Sequence, residues 1–187
     1  MAIVNGYITQ NDLKTFVGIP TGDSVDDDLL DNAINGASRQ IDAFCGRKFY
    51  ADANATSREY FTRDYYRLYV DDISTTTGLV IKYDDNDDGT YETTVPDTEY
   101  KLLPLNGVVD GIEGSPFYII QLLSDGEYEW PRSVTSNRPY AQVTAKWGYE
   151  ATPEPIKYAC KMLASELFAM RNAPLGVAGV GDFGVVN

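Results

Sequence analysis

Two amphipathic segments near opposite ends of the chain enclose a middle region with a different hydrophobic period. In the first segment, positions 24–47, apolar residues recur every three or four positions: Leu30, Ala33, Ile34, Ala37, Ile41, Phe44 and Cys45. The second segment, about 155–171, repeats the pattern with Ile156, Ala159, Cys160, Leu163, Leu167 and Met170. This period predicts two α-helices, each with one apolar face. We expect the two faces to pack against each other, because neither is stable in water.

Capping residues predict where the early helices begin. Thr9 and Asp12 have the spacing of a capping box, and Gly18 indicates the end of the short helix that they start. Ser24 and Asp27 repeat the same spacing, so they predict the start of the long helix.

In the middle region the period changes to two, which is typical of half-buried strands. Strands are predicted at 59–70, 79–83, 90–95, 100–103, 117–123 and 141–147. No helical crossover separates them, so they predict an antiparallel sheet, as a meander or a small sandwich. The fold class is therefore α+β. We expect a small antiparallel helical bundle from 1–50 and 150–172, a β-rich insertion at 51–149 and a flexible C-terminal arm at 173–187.

The composition argues against several classes of function. A net charge of −13 disfavours wrapping of nucleic acid, although it is compatible with a pore through which DNA slides. The chain has no histidine, so it lacks the usual general base and the commonest metal ligand. The serine-nucleophile elbow and the phosphate-binding loop motifs are also missing from the sequence. We therefore expect no enzymatic activity.

The two cysteines and the hydropathy pattern indicate a cytosol-like environment. Cys45 and Cys160 both fall on the predicted apolar stripes, which favours buried free thiols over a disulfide. The first residues do not resemble a signal peptide. No apolar run approaches the roughly 20 residues that span a bilayer.

An acidic stretch, positions 84–89, matches the first half of a calcium-binding loop, D-x-N-x-D-G. Asp84, Asn86 and Asp88 are its candidate calcium ligands. The twelfth position is Val95 rather than the bidentate glutamate, and the flanks are strand-like. Asp-Gly between two strands is also a hairpin signal, so a plain acidic turn is the favoured interpretation.

Arginines and aromatic residues alternate just before and within the predicted strand at 59–70. Such a mixture can stack bases, and it is equally enriched in protein interfaces. The acidic background favours an interface, while a plain strand with snorkelling arginines is a third reading. The candidate subunit-interface residues are Arg58, Arg63, Tyr65, Tyr66 and Arg67.

Several short motifs in a fixed order carry a resemblance to a known family. They lie at 7–14, 28–34, 37–49, 143–149, 153–159, 171–177 and 181–184. In this order and spacing the chain resembles the head–tail connector proteins of long-tailed bacteriophages, also called adaptor or head-completion proteins. The motifs cover both helical ends and leave 50–140 almost unmatched.

The resemblance implies a structural virion protein. Its copies would form a ring, expected to have twelve subunits, beneath the portal protein. The ring would extend the DNA channel without binding DNA specifically, and it would offer a docking site to a tail-side stopper or completion protein. The resemblance places the protein at the head–tail interface of the virion, and in the host cytoplasm during assembly, with no membrane partner.

In this family the C-terminal segment commonly reaches the portal. Carried onto this sequence, the portal-binding residues are Leu175, Val177, Val180, Phe183, Val185 and Val186. An alternative function is a calcium-stabilised β module that recognises a protein or a carbohydrate. A carboxylate-based hydrolase is a third hypothesis, which would need two carboxylates essential for turnover.

Overall fold

The two hydrophobic periods give an α+β fold in a computed structural model, which describes residues 2–131 and 138–172. Three α-helices are present in these residues: α1 (Gln10–Val17), α2 (Asp27–Cys45) and α3 (Glu154–Ala169). The six strands are β1 (Thr56–Tyr60), β2 (Arg67–Tyr83), β3 (Thr93–Thr94), β4 (Tyr100–Leu103), β5 (Phe117–Leu122) and β6 (Ala141–Trp147). The α+β prediction is confirmed, whereas the predicted arm at 173–187 lies outside the described residues.

The described chain divides into two units. The helical unit contains residues 2–47 and 152–172, and the sheet unit contains the described residues of Lys48–Ala151. No helix among the described residues combines the length and the apolar character needed to cross a lipid bilayer.

Capping explains where α1 begins and ends. The Asp12 main-chain N–H donates to the Thr9 hydroxyl at 3.1 Å, and the Thr9 N–H donates to the Asp12 carboxylate at 2.9 Å. This reciprocal capping box is the predicted one. Gly18 ends the helix with φ 78°, a left-handed conformation that glycine adopts without a steric cost.

The start of α2 differs from the prediction. The helix begins at Asp27, its N-cap is Asp26, and no side chain caps it. Ser24 is therefore not the cap that its spacing predicted. Its carbonyl instead accepts the Asp27 N–H in a turn, and the buried Lys14 ammonium binds the Asp23 carbonyl at 2.7 Å and the Asp27 carboxylate at 2.5 Å. These contacts hold the connection between α1 and α2 in place.

The expected pairing of the long helices is confirmed, and it is antiparallel. The Ser38 Oγ and the Cys160 Sγ lie 3.5 Å apart near the middle, and Arg171 forms an ion pair with Asp26 at 2.7 Å at one end. The shared interior consists of small and branched apolar side chains that are fully buried: Leu30, Ile34, Ala37, Cys160 and Ala164. Burial of each large one contributes about 1.5–3 kcal/mol.

The ends of the predicted stripes are not buried, which corrects the sequence analysis. Phe44 is 92% exposed, and Cys45 and Met170 are also exposed. Ser38 and Cys160 lie opposite each other on the two antiparallel helices. Phe44 follows Ser38 by the same number of residues by which Glu154 precedes Cys160. It is therefore level with the first residue of α3, where the partner helix can no longer cover it. Of the two free cysteines, only Cys160 is buried.

The strands form one antiparallel sheet in the order β1-β6-β2-β5-β4, and β3 pairs with β2. The long β2 strand pairs with β5 through its first half and with β6 through its second half, across register shifts. This order is not a meander, because the last strand in sequence lies between β1 and β2. The largest buried side chains of the sheet unit form its core: Leu68, Ile73, Ile81, Ile120, Leu122, Trp130, Val143 and Trp147.

Two predicted strands are shorter than expected. The predicted strand at 59–70 is interrupted, since β1 ends at Tyr60 and β2 begins at Arg67. The Asp64 carboxylate accepts the N–H groups of Tyr66 and Arg67, which closes a turn between the two strands. The predicted strand at 90–95 is reduced to the two residues of β3.

Gly148, directly after β6, permits a close approach of two backbone segments. Its φ is 108°, its N–H donates to the Asp72 carbonyl at 2.7 Å, and a Cβ there would overlap the Tyr50 carbonyl oxygen. Gly78 also has a positive φ, 78°, but a Cβ there would meet no atom within 4 Å. Substitution of Gly78 would therefore cause backbone strain alone, whereas substitution of Gly148 would add a steric overlap.

We predict that Gly148→Ala destabilises the protein far more than Gly78→Ala. Gly78→Ala costs about 1–2 kcal/mol for the left-handed backbone alone. Gly148→Ala adds a backbone overlap of at least about 1–3 kcal/mol. Urea unfolding of both variants measures the difference, and equal free energies of unfolding would show that the Tyr50 contact is not rigid.

Candidate functional site

Polar side chains on one face of α2 hold the N-terminal segment, residues 2–7. The Asn35 side-chain oxygen, Oδ1, accepts the Val4 N–H at 2.9 Å, and the Ser38 hydroxyl accepts the Tyr7 N–H at 3.1 Å. The Tyr7 hydroxyl donates to the Asp42 carboxylate. These contacts between α2 and the N-terminal segment were not predicted from the sequence. Their signal is the helical spacing of polar residues on α2 beside the apolar stripe: Asn35, Ser38, Arg39 and Asp42.

A groove of about 680 Å³ lies between this N-terminal segment, the start of α1 and the first half of α3. Its charged side chains are Asp12, Glu154, Lys157 and Lys161. We call it the lysine groove, because Lys157 and Lys161 stand one helical turn apart along its α3 wall. The groove was not predicted from the sequence, since it forms only when the N-terminal segment packs beside α3.

The two carboxylates of the lysine groove are already engaged. Hydrogen bonds from the Thr9 side chain and main chain lower the pKa of Asp12, and Lys161 and Lys157 lower it further. Glu154 pairs with Lys157 at 2.6 Å. Because Glu154 is 83% exposed, this surface pair contributes at most about 1 kcal/mol.

The acidic turn, residues 84–92, is organised around one buried carboxylate. Asp84 is fully buried and accepts main-chain N–H bonds from Asn86, Asp87, Asp88 and Gly89, the shortest at 2.7 Å. Burial raises the pKa of Asp84, but these four donors outweigh it, so the net shift is downward. Asp84 therefore stays ionised at neutral pH and fixes the conformation of the turn.

The structure brings only part of the predicted calcium ligand set together. Carboxylate oxygens of Asp84, Asp88 and Glu92 lie within 4.8 Å of one another. The Asn86 amide instead bonds within the turn, since its oxygen accepts the Asp88 N–H and its NH₂ donates to Glu92. Sequence reasoning missed Glu92, although it occupies the ninth position of the loop pattern, where such loops often carry a ligand.

We predict that Asp84→Asn destabilises the folded protein at pH 7 by about 1–3 kcal/mol, because an amide NH₂ cannot accept the Gly89 N–H. The lowered pKa of Asp84 means that its contribution is present above about pH 4 and is lost as the pH falls through the folded-state pKa. The gap between wild type and variant is therefore expected to be constant from pH 7 to 5 and to shrink below pH 4.

Urea unfolding at several pH values measures this gap, and Asp85→Asn is the matched control. Asp85 is exposed and accepts a single bond, from the Thr93 hydroxyl, so its variant is expected to stay within about 0.5 kcal/mol of wild type. A gap that is independent of pH down to pH 3 would contradict the role given to the Asp84 carboxylate.

The structure divides the predicted subunit-interface residues into two groups. Arg58 lies in β1, where it stacks 4.5 Å from the centre of the Trp147 ring and pairs with Asp71 at 2.6 Å. Tyr66 is half-buried and donates to Glu129 at 3.2 Å. Arg63, Tyr65 and Arg67 are exposed.

Arg67 belongs to an outward face of the sheet unit, which we call the Arg–Tyr face. Cross-strand pairing places six residues of β2, β5 and β4 on it: Arg67, Tyr69, Ile119, Gln121, Lys101 and Leu103. Tyr69 is 65% exposed there, and Tyr65, just before β2, is 50% exposed. Large exposed aromatics beside arginine are typical of protein interfaces. The predicted portal-binding residues, 175–186, lie outside the described residues.

No protein-family model and no curated protein sequence matches this chain. Among solved structures, the chain is similar to a protein chain in "Neck of empty GTA particle computed with C6 symmetry". The TM-score is 0.55 at 14% sequence identity, and the match covers 91% of this chain and 82% of the other. At this identity the likeness shows a shared fold. Its coverage is wide enough to include residues of both the helical unit and the sheet unit.

Proposed function

We propose that this protein is a structural component of the neck of a phage or phage-like particle. The fold shared with a chain of the GTA particle neck over 91% of the sequence carries the proposal. The motif order at both helical ends, which resembles the phage connector family, supports it independently. In this role the protein is not an enzyme, and it acts by binding other virion proteins.

More specifically, we propose that the protein is a connector, or adaptor, that forms a ring beneath the portal at the head–tail interface. The expected twelve subunits are compatible with the sixfold symmetry of the neck particle, because twelve is a multiple of six. Its partners are other copies of the chain, the portal protein and a tail-side completion protein. DNA passes through without specific binding, since a net charge of −13 repels its phosphates.

Two sets of residues are proposed to bind these partners. A ring of identical subunits needs two different patches on each copy, which meet around the circle. The Arg–Tyr face and the neighbouring Tyr65 are one candidate patch. The C-terminal residues are the proposed portal contact: Leu175, Val177, Val180, Phe183, Val185 and Val186.

We predict that the full chain forms rings on its portal protein and that a chain ending at Ala173 does not bind the portal. The truncation removes every proposed apolar anchor and none of the residues that the structure describes. Electron microscopy of the portal mixed with each protein shows the rings. Phe183→Ser removes one proposed anchor, and Asp182→Asn, which removes none, is its matched control.

Rings with the full chain and none with the truncated chain would support both the connector role and the role of residues 174–187. Rings with both proteins would refute the C-terminal contact alone. If neither protein binds the portal, the connector function is wrong.

A calcium-stabilised binding module is the second candidate function. The observation that favours it is the proximity of carboxylate oxygens of Asp84, Asp88 and Glu92. A calcium concentration 100 times the Kd would stabilise the protein by about 2.7 kcal/mol. Thermal unfolding with calcium, with magnesium and with chelator tests this candidate, and equal melting temperatures would exclude it.

A further inference from the structure

The lysine groove presents two ammonium groups in a strongly acidic chain, beside two carboxylates, Asp12 and Glu154, that are already bonded to Thr9 and Lys157. Lys157 and Lys161 line it, and the N-termini of α1 and α3 open onto it, so the helix dipoles add to their potential. Lys161 forms no hydrogen bond or ion pair with the residues that the structure describes. Lys157 is held only by the exposed Glu154, a pair that an incoming carboxylate can replace at small cost.

The acidic turn offers the complementary charge in a rigid form. Four main-chain N–H groups converge on Asp84, so the backbone is ordered before any partner binds. Asp85 and Asp88 are both exposed to solvent. A preordered loop loses little conformational entropy on binding. The turn can therefore present two carboxylates at fixed positions.

Assembly of so acidic a chain requires that like charges be kept apart. With a net charge of −13 per copy, neighbouring subunits repel unless opposite charges meet at their contact. The lysine groove belongs to the helical unit and the acidic turn to the sheet unit. They are two different patches of one chain, which is what a head-to-tail ring contact requires.

We propose that the acidic turn of one copy binds in the lysine groove of the next copy around the ring. Asp85 and Asp88 approach Lys157 and Lys161, and the turn fills the groove between the N-terminal segment and α3. The groove volume of about 680 Å³ is within the range of roughly 300–1,000 Å³ that small-molecule clefts have, which is enough room for the exposed side chains of the turn. This inference rests on the proposed ring function and names one of its contacts.

A charge-reversal mixing experiment tests the contact. The groove variant carries Lys157→Glu and Lys161→Glu, and the turn variant carries Asp85→Lys and Asp88→Lys. Each variant alone places like charges at every contact, so we expect ring formation on the portal to need at least about tenfold more protein. In an equal mixture, alternating subunits restore an opposite-charge pair at every contact of an even-numbered ring. We expect the mixture to recover ring formation to within about threefold of wild type.

Recovery in the mixture cannot arise from variants that fail to fold, so it isolates the contact. Controls with the same charge changes in other parts of the sheet unit are Lys82→Glu with Lys146→Glu, and Asp125→Lys with Glu127→Lys. Both controls are expected to form rings like wild type. Assembly of the wild type is also expected to weaken as salt rises, because the contact is partly exposed.

The outcomes separate this inference from the proposed function. If wild-type rings form and both variants also form them, or if the mixture does not recover, the contact is wrong while the connector role stands. If only the groove variant fails, the groove binds an acidic segment of the portal rather than a second copy, and the inference is overturned. If wild type forms no ring on the portal, the function and the contact fail together.

Discussion

The packing of α2 against α3 organises the helical unit. These helices are separated in sequence by the whole sheet unit, yet the apolar stripe of each packs against the other. Their pairing joins the two segments of the helical unit, which flank the sheet unit in sequence. It also fixes α3 beside the N-terminal segment, and this arrangement creates the lysine groove. Small residues such as Ala37 and Ala164 let the helices approach closely.

Polar contacts hold the connecting segments that lie outside the helices and strands. Lys14 holds the connection that precedes α2, Ser38 and Asn35 hold the N-terminal segment, and Asp84 orders a long acidic turn. Each uses a side chain to satisfy main-chain groups that no helix or sheet satisfies. In a chain with such an excess of carboxylates, Asp84 is one that has a structural role. Others, such as Asp85, are exposed, and the proposed subunit contact uses them.

Much of the fold was predictable, because period and capping are local properties. The antiparallel helix pair, the capping box at Thr9 and the exact bounds of β4 and β6 follow from the sequence. The functional surfaces were less predictable. The acidic turn was recognised without Glu92, and the lysine groove was missed because it combines the N-terminal segment with Lys157 and Lys161, which are distant in sequence.

Hydrophobic periodicity is enough to predict the α+β class, the helices at both ends and the strand-rich middle, since it needs no knowledge of distant residues. The strand order, which places β6 between β1 and β2, is established by folding alone, as is the exposure of Phe44 at the end of a predicted core stripe. The physical reason is the same in both cases. Whether an apolar residue is buried, and which strand pairs with which, depends on where the partner element begins and ends, and that is settled by packing across the chain rather than within a segment.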